Sequence, residues 1–264
     1  MTGEPYDVPR GEAAETPRDD LGTDLPLDGR ARRVVSLVPS ITEALASADP
    51  SAIVAATEWC TRPADLDVPR VRGTKNPDTK AIIALQPDLV VVNKEENREL
   101  DVRRLRDAGV PVWVTVIETV PQAIESLERL FDQALRWPRP AWLATARDLW
   151  CGEPAPPRAT TVTPIWRDPW MVVGRDTFTG DLLRRAGLPN VYADHPDRYP
   201  AVPVEEIDAV GADLVLLPDE PYVFTADDGP EVFARTPTRL LEGRLITWYG
   251  PSLVEARALL DGIR

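Results

Sequence analysis

Histidine and cysteine are scarce in this chain of 264 residues. His195 is the single histidine, and Cys60 and Cys151 are the two cysteines. One histidine excludes a histidine-rich metal site. Two cysteines are too few for a disulfide framework, although they neither require nor exclude one bridge. We therefore predict no metal ligands and no fold that depends on disulfides.

A membrane-spanning apolar run and an excess of positive charge are also missing. No run of about 18 apolar residues occurs, so the sequence predicts no membrane span. The formal net charge is −13, which makes the chain a poor electrostatic match to nucleic acid or anionic lipid. We expect a monomer with a small-molecule ligand and no nucleic-acid partner.

The first 31 residues are rich in Pro, Asp and Glu, and we expect 1–31 to form a disordered tail. This stretch lacks the basic start, the apolar segment and the lipidated cysteine of secretion signals. We therefore expect the chain as given to stay in the cytoplasm. A periplasmic or extracellular location would follow instead from a misassigned start codon.

Apolar runs alternate with helical patterns through the rest of the chain, which predicts an α/β fold. Continuous apolar runs are typical of parallel strands that are covered on both faces. We assign 32–118 to a first α/β lobe, 119–158 to a helical connector and 159–264 to a second α/β lobe. The strands are expected at 32–38, 52–57, 89–92 and 110–116, then at 160–166, within 202–217 and at 243–250.

The two halves of the sequence echo each other. Asp88 in "PDLVVV" and Asp213 in "ADLVLL" occupy matching positions, each between a short helix and an apolar strand. Two such units and a helical connector predict two Rossmann-like lobes with parallel sheets, which face each other across a ligand cleft.

Candidate ligand-binding residues follow the predicted strands, because ligands of open α/β sheets bind outside the carboxyl ends of the strands. Many of the candidates are aromatic, and flat aromatic walls suit a large, partly apolar ligand such as a macrocycle. The alternative is that these aromatic residues only cover the core where the lobes meet. The candidates are Ser40, Trp59, Thr74, Lys75, Asn76, Asn93, Glu95, Glu96 and Asn97 in the first lobe, and Trp166, Arg167, Trp170, Tyr199, Glu220, Tyr222, Trp248 and Tyr249 in the second.

The polar stretch "NKEENRE", residues 93–99, follows the most apolar strand and has two interpretations. As a helix start, Asn93 would be the N-cap, and Glu95 and Glu96 would lie in the first turn, where carboxylates favour the positive helix end. As a wall of the cleft, opposite "PDEPYVF" in the second lobe, it would form an acidic rim that favours a cationic or metal-bearing ligand.

No catalytic residue is predicted. The chain has neither a phosphate-binding G-x-x-x-x-G-K loop nor a G-x-S-x-G elbow, and His195 lies in a loop rich in Pro and Asp. Cys60 is either a reactive thiol or soft metal ligand beside Glu58, or a buried inert thiol. Nothing in the sequence demands an enzyme.

Three segments resemble a known family: "RRVVSLVPSITEAL", "RGTKNPDTKAIIALQPDLVVVN" and "VPVEEIDAVGADLVLL". They are similar to the cobalamin and iron-siderophore periplasmic binding proteins, which are the substrate-binding components of type II ABC importers and are also called helical-backbone metal receptors. The resemblance covers about residues 32–264. It implies two α/β lobes around a cleft that binds cobalamin or a related metal chelate, such as haem or a ferric siderophore, without catalysis and with no required cofactor.

The resemblance also implies that Glu43 and Glu205 dock onto an ABC permease, a partner that is possible only if the chain is exported. Glu43 is in addition expected to complete a capping box with Ser40. The chain departs from the family in lacking an export signal and in having Pro138 and Pro140 interrupt its connector. An alternative function is therefore a cytoplasmic enzyme or cofactor-handling protein on the same fold, which would use Cys60 and the cleft carboxylates.

Overall fold

The first lobe is built on a four-stranded parallel sheet. A computed structural model describes residues 16–27 and 29–263, and its first sheet has the strand order β2-β1-β3-β4. The strands are β1 (Val34–Ser36), β2 (Ile53–Ala56), β3 (Leu89–Asn93) and β4 (Val112–Thr115), and the helices are α1 (Pro39–Ala46), α2 (Thr79–Ala84) and α3 (Glu99–Asp107). Every residue of β3 and β4 is buried, as expected for parallel strands that are covered on both faces.

The connector consists of two helices. Helix α4 (Val120–Arg129) begins at a capping box, in which Thr119 and Gln122 each accept a backbone N–H of the other. It continues as a wider π-helical segment, Leu130–Leu135. After the prolines comes α5 (Ala141–Trp150).

The second lobe contains a three-stranded parallel sheet of order β5-β8-β9 and a separate antiparallel pair, β6 with β7. Its strands are β5 (Thr161–Val162), β6 (Pro164–Trp166), β7 (Met171–Val172), β8 (Leu214–Pro218) and β9 (Thr238–Leu241). Its helices are α6 (Phe178–Arg185), α7 (Val204–Ala209), α8 (Arg244–Thr247) and α9 (Ser252–Asp261).

The sequence echo between the halves corresponds to one repeated hydrogen-bond pattern. The Asp88 carboxylate accepts the backbone N–H of Arg32 and Arg33 at 2.7 and 2.9 Å, just before β1. The Asp213 carboxylate accepts the N–H and the hydroxyl of Thr160, both at 2.7 Å, just before β5. Each aspartate therefore ties the start of its own strand to the chain entering the neighbouring parallel strand.

One apolar core runs through both lobes and the connector. It includes Leu89 of the first sheet, Phe131 and Trp150 of the connector, and Leu182 and Leu253 of the second lobe. The indole Nε1 of Trp150 donates to the backbone carbonyl of Leu253 at 2.8 Å, which attaches α9 to the connector.

Two expectations about local structure are wrong. Residues 243–250 do not form the last strand, because 244–247 form a helix and β9 is the last strand. A short apolar run does not distinguish a strand from a buried helix. Ser40 is not an N-cap, because Pro39 already occupies the first turn of α1 and no side chain caps this helix.

The expectation of a disordered tail is wrong for residues 16–27. The Asp20 carboxylate accepts the backbone N–H of Val116 at 2.8 Å and the hydroxyl of Ser126 at 2.6 Å, and it forms an ion pair with Arg129. Leu25 is buried in the core. The acidic composition suggested that this segment would remain in solvent, but its Asp20 carboxylate accepts hydrogen bonds from the folded part of the chain. Residues 1–15 lie outside the described part of the chain.

Within the described ranges, no helix is both long enough and apolar enough to cross a membrane.

We expect replacement of Asp20 by Ala to lower the free energy of unfolding by about 2–3 kcal/mol, because buried donors and a cation lose their acceptor. Thermal unfolding should show a melting temperature lower by roughly 5–10 °C. Asp24→Ala is the matched control. Asp24 pairs with Arg18 in an exposed ion pair, and its loss should cost under about 0.5 kcal/mol. Equal effects of the two variants would contradict a structural role for the segment.

Candidate ligand-binding cleft

A cavity of about 340 Å³ lies between the two lobes. Eight of the 17 candidate residues from the sequence line it. These are Ser40, Asn93, Glu95 and Glu96 from the first lobe, and Tyr199, Glu220, Trp248 and Tyr249 from the second. The lobes thus meet at the side chains that follow their strands, as the sheet rule predicts.

Eight further lining residues were not among the candidates. They are mostly apolar: Pro39, Ile117, Ile165, Val173, Phe178, Thr179, Pro221 and Thr247. Ile117 follows β4 closely, so the strand-end argument could have found it. Phe178 and Thr179 lie in the first turn of α6, and no sequence signal marks that turn as facing the first lobe.

Two asparagines shape the polar loop after β3. Asn93 is the last residue of the strand, and its side-chain oxygen accepts the backbone N–H of Glu95 at 2.8 Å. Asn97 is buried and donates to the carbonyls of Leu37 and Thr74 at 3.2 and 2.9 Å. Asn93 therefore caps a turn and not a helix, since α3 begins only at Glu99. The turn directs Glu95 and Glu96 to the cavity.

Glu96 joins the lobes through a hydrogen bond from Tyr249. The Tyr249 hydroxyl donates to Glu96 Oε1 at 2.7 Å. Burial raises the pKa of Glu96 to about 7, with Glu95 and Glu220 adding to the rise, while the bond from Tyr249 and the charge of Lys75 oppose it. Burial and the nearby Glu96 also raise the pKa of Tyr249 well above its usual value.

Tyr249 reaches Glu96 because its loop passes very close to α1. At Gly250, an added Cβ would lie 2.9 Å from the carbonyl oxygen of Ser40. The ring of Tyr249 packs edge-on against Phe178, with centroids 5.5 Å apart. A side chain at position 250 would therefore push the aromatic wall away from the first lobe.

Glu220 is the acidic residue on the opposite wall. It accepts a hydrogen bond from the Thr247 hydroxyl at 2.6 Å. Burial raises the pKa of Glu220, and the charges of Asp219 and Glu242 act in the same direction. Glu220 and Glu96 thus face one cavity from different lobes.

Arg198 spans the lobes at the edge of the cavity. It donates to Glu118 at 2.7 Å and to Glu95 at 2.8 Å, both of which belong to the first lobe. Glu95 therefore has a counter-ion within the chain. These two ion pairs hold the lobes together beside the cavity.

A second connection between the lobes runs through Arg244 on α8. Its guanidinium pairs with Glu43 of α1 at 2.6 Å and with Glu255 of α9 at 3.2 Å, and the pairing raises its pKa. The side chains of Arg244 and Glu43 are only 10% and 12% exposed. Glu43 therefore completes an ion pair with the other lobe and no capping box, whereas Glu205 is exposed in the first turn of α7.

The remaining nine candidates lie outside the cavity lining. These are Trp59, Thr74, Lys75, Asn76, Asn97, Trp166, Arg167, Trp170 and Tyr222. Trp170 stacks on Phe224 at 5.6 Å within the second-lobe core. Arg167 lies over its ring and pairs with Glu231 at 2.7 Å. Packing in the second-lobe core accounts for Trp170 and Tyr222, whereas Trp59 and Trp166 are 65% and 45% exposed.

The thiol of Cys60 is not in the cavity lining. It is buried beside the hydroxyls of Thr42 and Thr57, at 3.0 and 3.1 Å, and burial raises its pKa. A buried thiol with a raised pKa is a poor nucleophile. In residues 16–27 and 29–263, no group of three or more His, Cys, Asp or Glu side chains could hold a metal ion.

We expect replacement of Arg244 by Met to lower the free energy of unfolding by about 2–4 kcal/mol, because Glu43 would be left nearly buried without its partner. Chemical denaturation measures this loss. Arg175→Met is the matched control, since Arg175 is exposed and, among the described residues, pairs with the adjacent Asp176 alone. A variant pair of equal stability would mean that the Arg244 ion pairs do not hold the lobes.

We expect the folded protein to react quickly with a thiol reagent at Cys151 and slowly at Cys60, because Cys151 is partly exposed and Cys60 is buried. The colour released by an aromatic disulfide reagent gives the rates. Cys151→Ser should remove the fast phase, and denaturant should expose Cys60. A fast phase that survives in Cys151→Ser would show an accessible Cys60.

Known proteins share this architecture. No family model matches the chain. A vitamin B12-binding protein of Vibrio parahaemolyticus is 24% identical over 182 residues, which is 66% of this chain and 66% of that relative. Among solved structures, the periplasmic vitamin B12-binding protein BtuF of Vibrio cholerae matches with a TM-score of 0.71 at 18% identity, over 88% of this chain and 95% of that one. The periplasmic haem-binding protein BhuT, solved with two haems, matches with a TM-score of 0.72 at 21% identity, over 88% and 97%.

These matches and the sheets described above confirm the predicted class, two α/β lobes with parallel sheets around a cleft. They also confirm the resemblance drawn from the three sequence segments. The chain therefore has the fold of the periplasmic binding proteins whose members include vitamin B12-binding and haem-binding proteins.

Proposed function

We propose that the chain binds a metal chelate of the cobalamin or haem type in the cleft between its lobes, without catalysing a reaction. The observation that carries this proposal is one cavity lined from both lobes by aromatic and apolar side chains. The chelate is the ligand of the protein and not a cofactor for a reaction. The vitamin B12-binding and haem-binding proteins of the same fold support this assignment.

The lining suits a flat, partly apolar molecule. Phe178, Trp248 and Tyr249 supply ring surfaces, and Ile117 and Ile165 supply aliphatic surface. Such surfaces stabilise a bound macrocycle through removal of apolar area from water, and a few polar groups then fix its orientation.

The cavity volume implies that the lobes separate when a large chelate binds. Cavities that bind small molecules span roughly 300–1,000 Å³, and this one, at about 340 Å³, is near the lower limit. A corrin or porphyrin would thus fill the cavity and contact the residues at its edge. Arg198, which pairs across the rim with Glu95 and Glu118, is the contact that would open.

A permease partnership would need acidic side chains that are free on both lobes. Glu205 is exposed, but Glu43 is held by Arg244. We therefore propose that the chain binds its ligand without docking onto a permease through Glu43.

A thermal-shift screen with cyanocobalamin, haem and ferric siderophores tests the proposal. A ligand at 100 times its Kd should stabilise the protein by about 2.7 kcal/mol and raise the melting temperature by roughly 5–10 °C. Ile165→Trp narrows the cavity and should abolish the shift. Val223→Trp is the matched control, because Val223 is exposed and not in the cavity lining, and it should leave the shift intact.

Two outcomes would refute the proposed function. One is that none of these chelates shifts the melting temperature. The other is a shift of equal size in both variants, which would place binding outside the cleft.

A further inference from the structure

The two carboxylates that face the cavity from opposite lobes form no ion pair with a described Lys or Arg side chain, although the charge of Lys75 acts on Glu96 from a distance. Glu96 is bonded by the Tyr249 hydroxyl at 2.7 Å and Glu220 by the Thr247 hydroxyl at 2.6 Å. In the part of the chain that the structure describes, no Lys or Arg side chain forms an ion pair with either of them, although Arg198 and Arg244 pair with other glutamates nearby. No Lys or Arg is among the described residues that line the cavity.

Half-buried carboxylates without a cation are costly. Removing a charge from water is unfavourable unless an opposite charge or several hydrogen bonds replace the solvent. The donors that replace it are uncharged: the Tyr249 hydroxyl at Glu96, and the Thr247 hydroxyl and the Trp248 side chain at Glu220. The cost of burying the ionised carboxylates raises the pKa of Glu96 to about 7 and also raises the pKa of Glu220. A cation bound in the cavity would lower the cost of keeping Glu96 and Glu220 ionised.

The hydroxyl of Ser40 faces the same space, and the hydroxyl of Tyr249 is its polar neighbour. The hydroxyl of Ser40 lines the cavity next to Tyr249 and is 3% exposed, yet it makes no hydrogen bond of normal geometry with the described residues. Buried hydroxyls are nearly always bonded. This hydroxyl can therefore bond to a polar group of a bound molecule.

We propose that the cleft selects chelates that carry positive charge and discriminates against anionic ones, with Glu96 and Glu220 as the residues that determine this specificity. The inference rests on the proposed function and adds the charge of the ligand to it. Ligands with ionised carboxylates, such as haem, would bring negative charge between two carboxylates that have no cation to neutralise it. A cationic corrinoid would replace the missing counter-ion.

The selection should depend on pH because the ionised form of Glu96 is the one that attracts the cation. The charged and titratable groups that face Glu96 are Tyr249, Lys75, Glu95, Glu220 and Cys60. As pH falls through about 7, Glu96 takes up a proton. The affinity for a cationic ligand should therefore rise from pH 6 to pH 8, and the affinity for a neutral ligand should change much less.

A charge series on one corrin ring tests this inference. The probes are cyanocobalamin, a derivative with one peripheral amide hydrolysed to a carboxylate, and a derivative with the same amide extended to a protonated amine. Titration calorimetry at pH 8 gives the three Kd values. We expect the amine derivative to bind at least about tenfold more tightly than the carboxylate derivative, as expected of a half-buried charge pair.

Glutamine variants locate the effect. Glu96→Gln and Glu220→Gln keep the acceptor oxygen for the neighbouring hydroxyl, and each should reduce the preference for the amine derivative several-fold. Glu96→Gln should also flatten the pH dependence. Glu153→Gln is the matched control, because Glu153 is exposed in the loop after α5, and it should change neither quantity. Circular dichroism and the melting temperature show whether each variant is folded.

The outcomes separate this inference from the function on which it rests. If haem or the carboxylate derivative binds as tightly as the amine derivative, the charge selection is refuted and chelate binding stands. The same holds if the preference is unchanged in both Glu96→Gln and Glu220→Gln. If no member of the series binds while haem does, the cationic assignment fails alone. If no chelate binds at all, both fail.

Discussion

The cleft depends on one continuous apolar core that joins both lobes to the connector. Leu89 and Ile41 of the first lobe, Phe131 of the connector, and Leu182 and Leu253 of the second lobe belong to the same buried cluster. Because this core is shared, neither sheet can rotate freely against the other. The carboxyl ends of both sheets therefore stay on the same side, where their loops enclose a cavity.

Two kinds of polar contact also join the lobes: ion pairs and a hydrogen bond from a neutral hydroxyl. Arg244 and Arg198 form charged pairs, one nearly buried and the other at the rim. Tyr249 instead supplies a neutral hydroxyl to Glu96 inside the cavity. Ion pairs at the sides thus hold the lobes in place, while the interior retains carboxylates whose charge is not neutralised by the chain. The carboxylates that would attract a cation therefore lie in the cavity, where a ligand would bind.

The connector shows that a sequence departure from a related fold need not change the architecture. The first connector helix ends at Leu135, before Pro138 and Pro140, and α5 starts directly after Pro140. Trp137 is buried, and its indole nitrogen donates to the carbonyl of Ala31 at 2.9 Å. The Trp137 side chain therefore packs at the break between the two helices and is bonded to the chain just before the first lobe. Two shorter helices then occupy the space between the sheets.

Local sequence was enough to predict the lobes, the connector and half of the cavity lining. Buried parallel strands are continuous apolar runs, and Asp88 and Asp213 mark equivalent points in two units, because each makes the same kind of bond to the neighbouring strand. Helix α3 has the charge pattern that favours a helix, with Glu99 and Asp101 in its first turn, Arg104 and Arg106 in its last, and Gly109 after it in a left-handed conformation.

Only the tertiary structure decided which strand-end side chains meet. Trp170 and Trp248 both follow apolar segments, but Trp170 packs into the second-lobe core and Trp248 lines the cavity. Their surroundings come from distant parts of the chain that no local pattern records. The same holds for Arg244, which lies in a short helix and pairs with a residue about 200 positions away, and for Asp20, whose acceptor role depends on donors more than 90 residues distant. Composition and periodicity describe how a segment contacts water and its near neighbours, whereas partners of this kind are set by the packing of the whole fold.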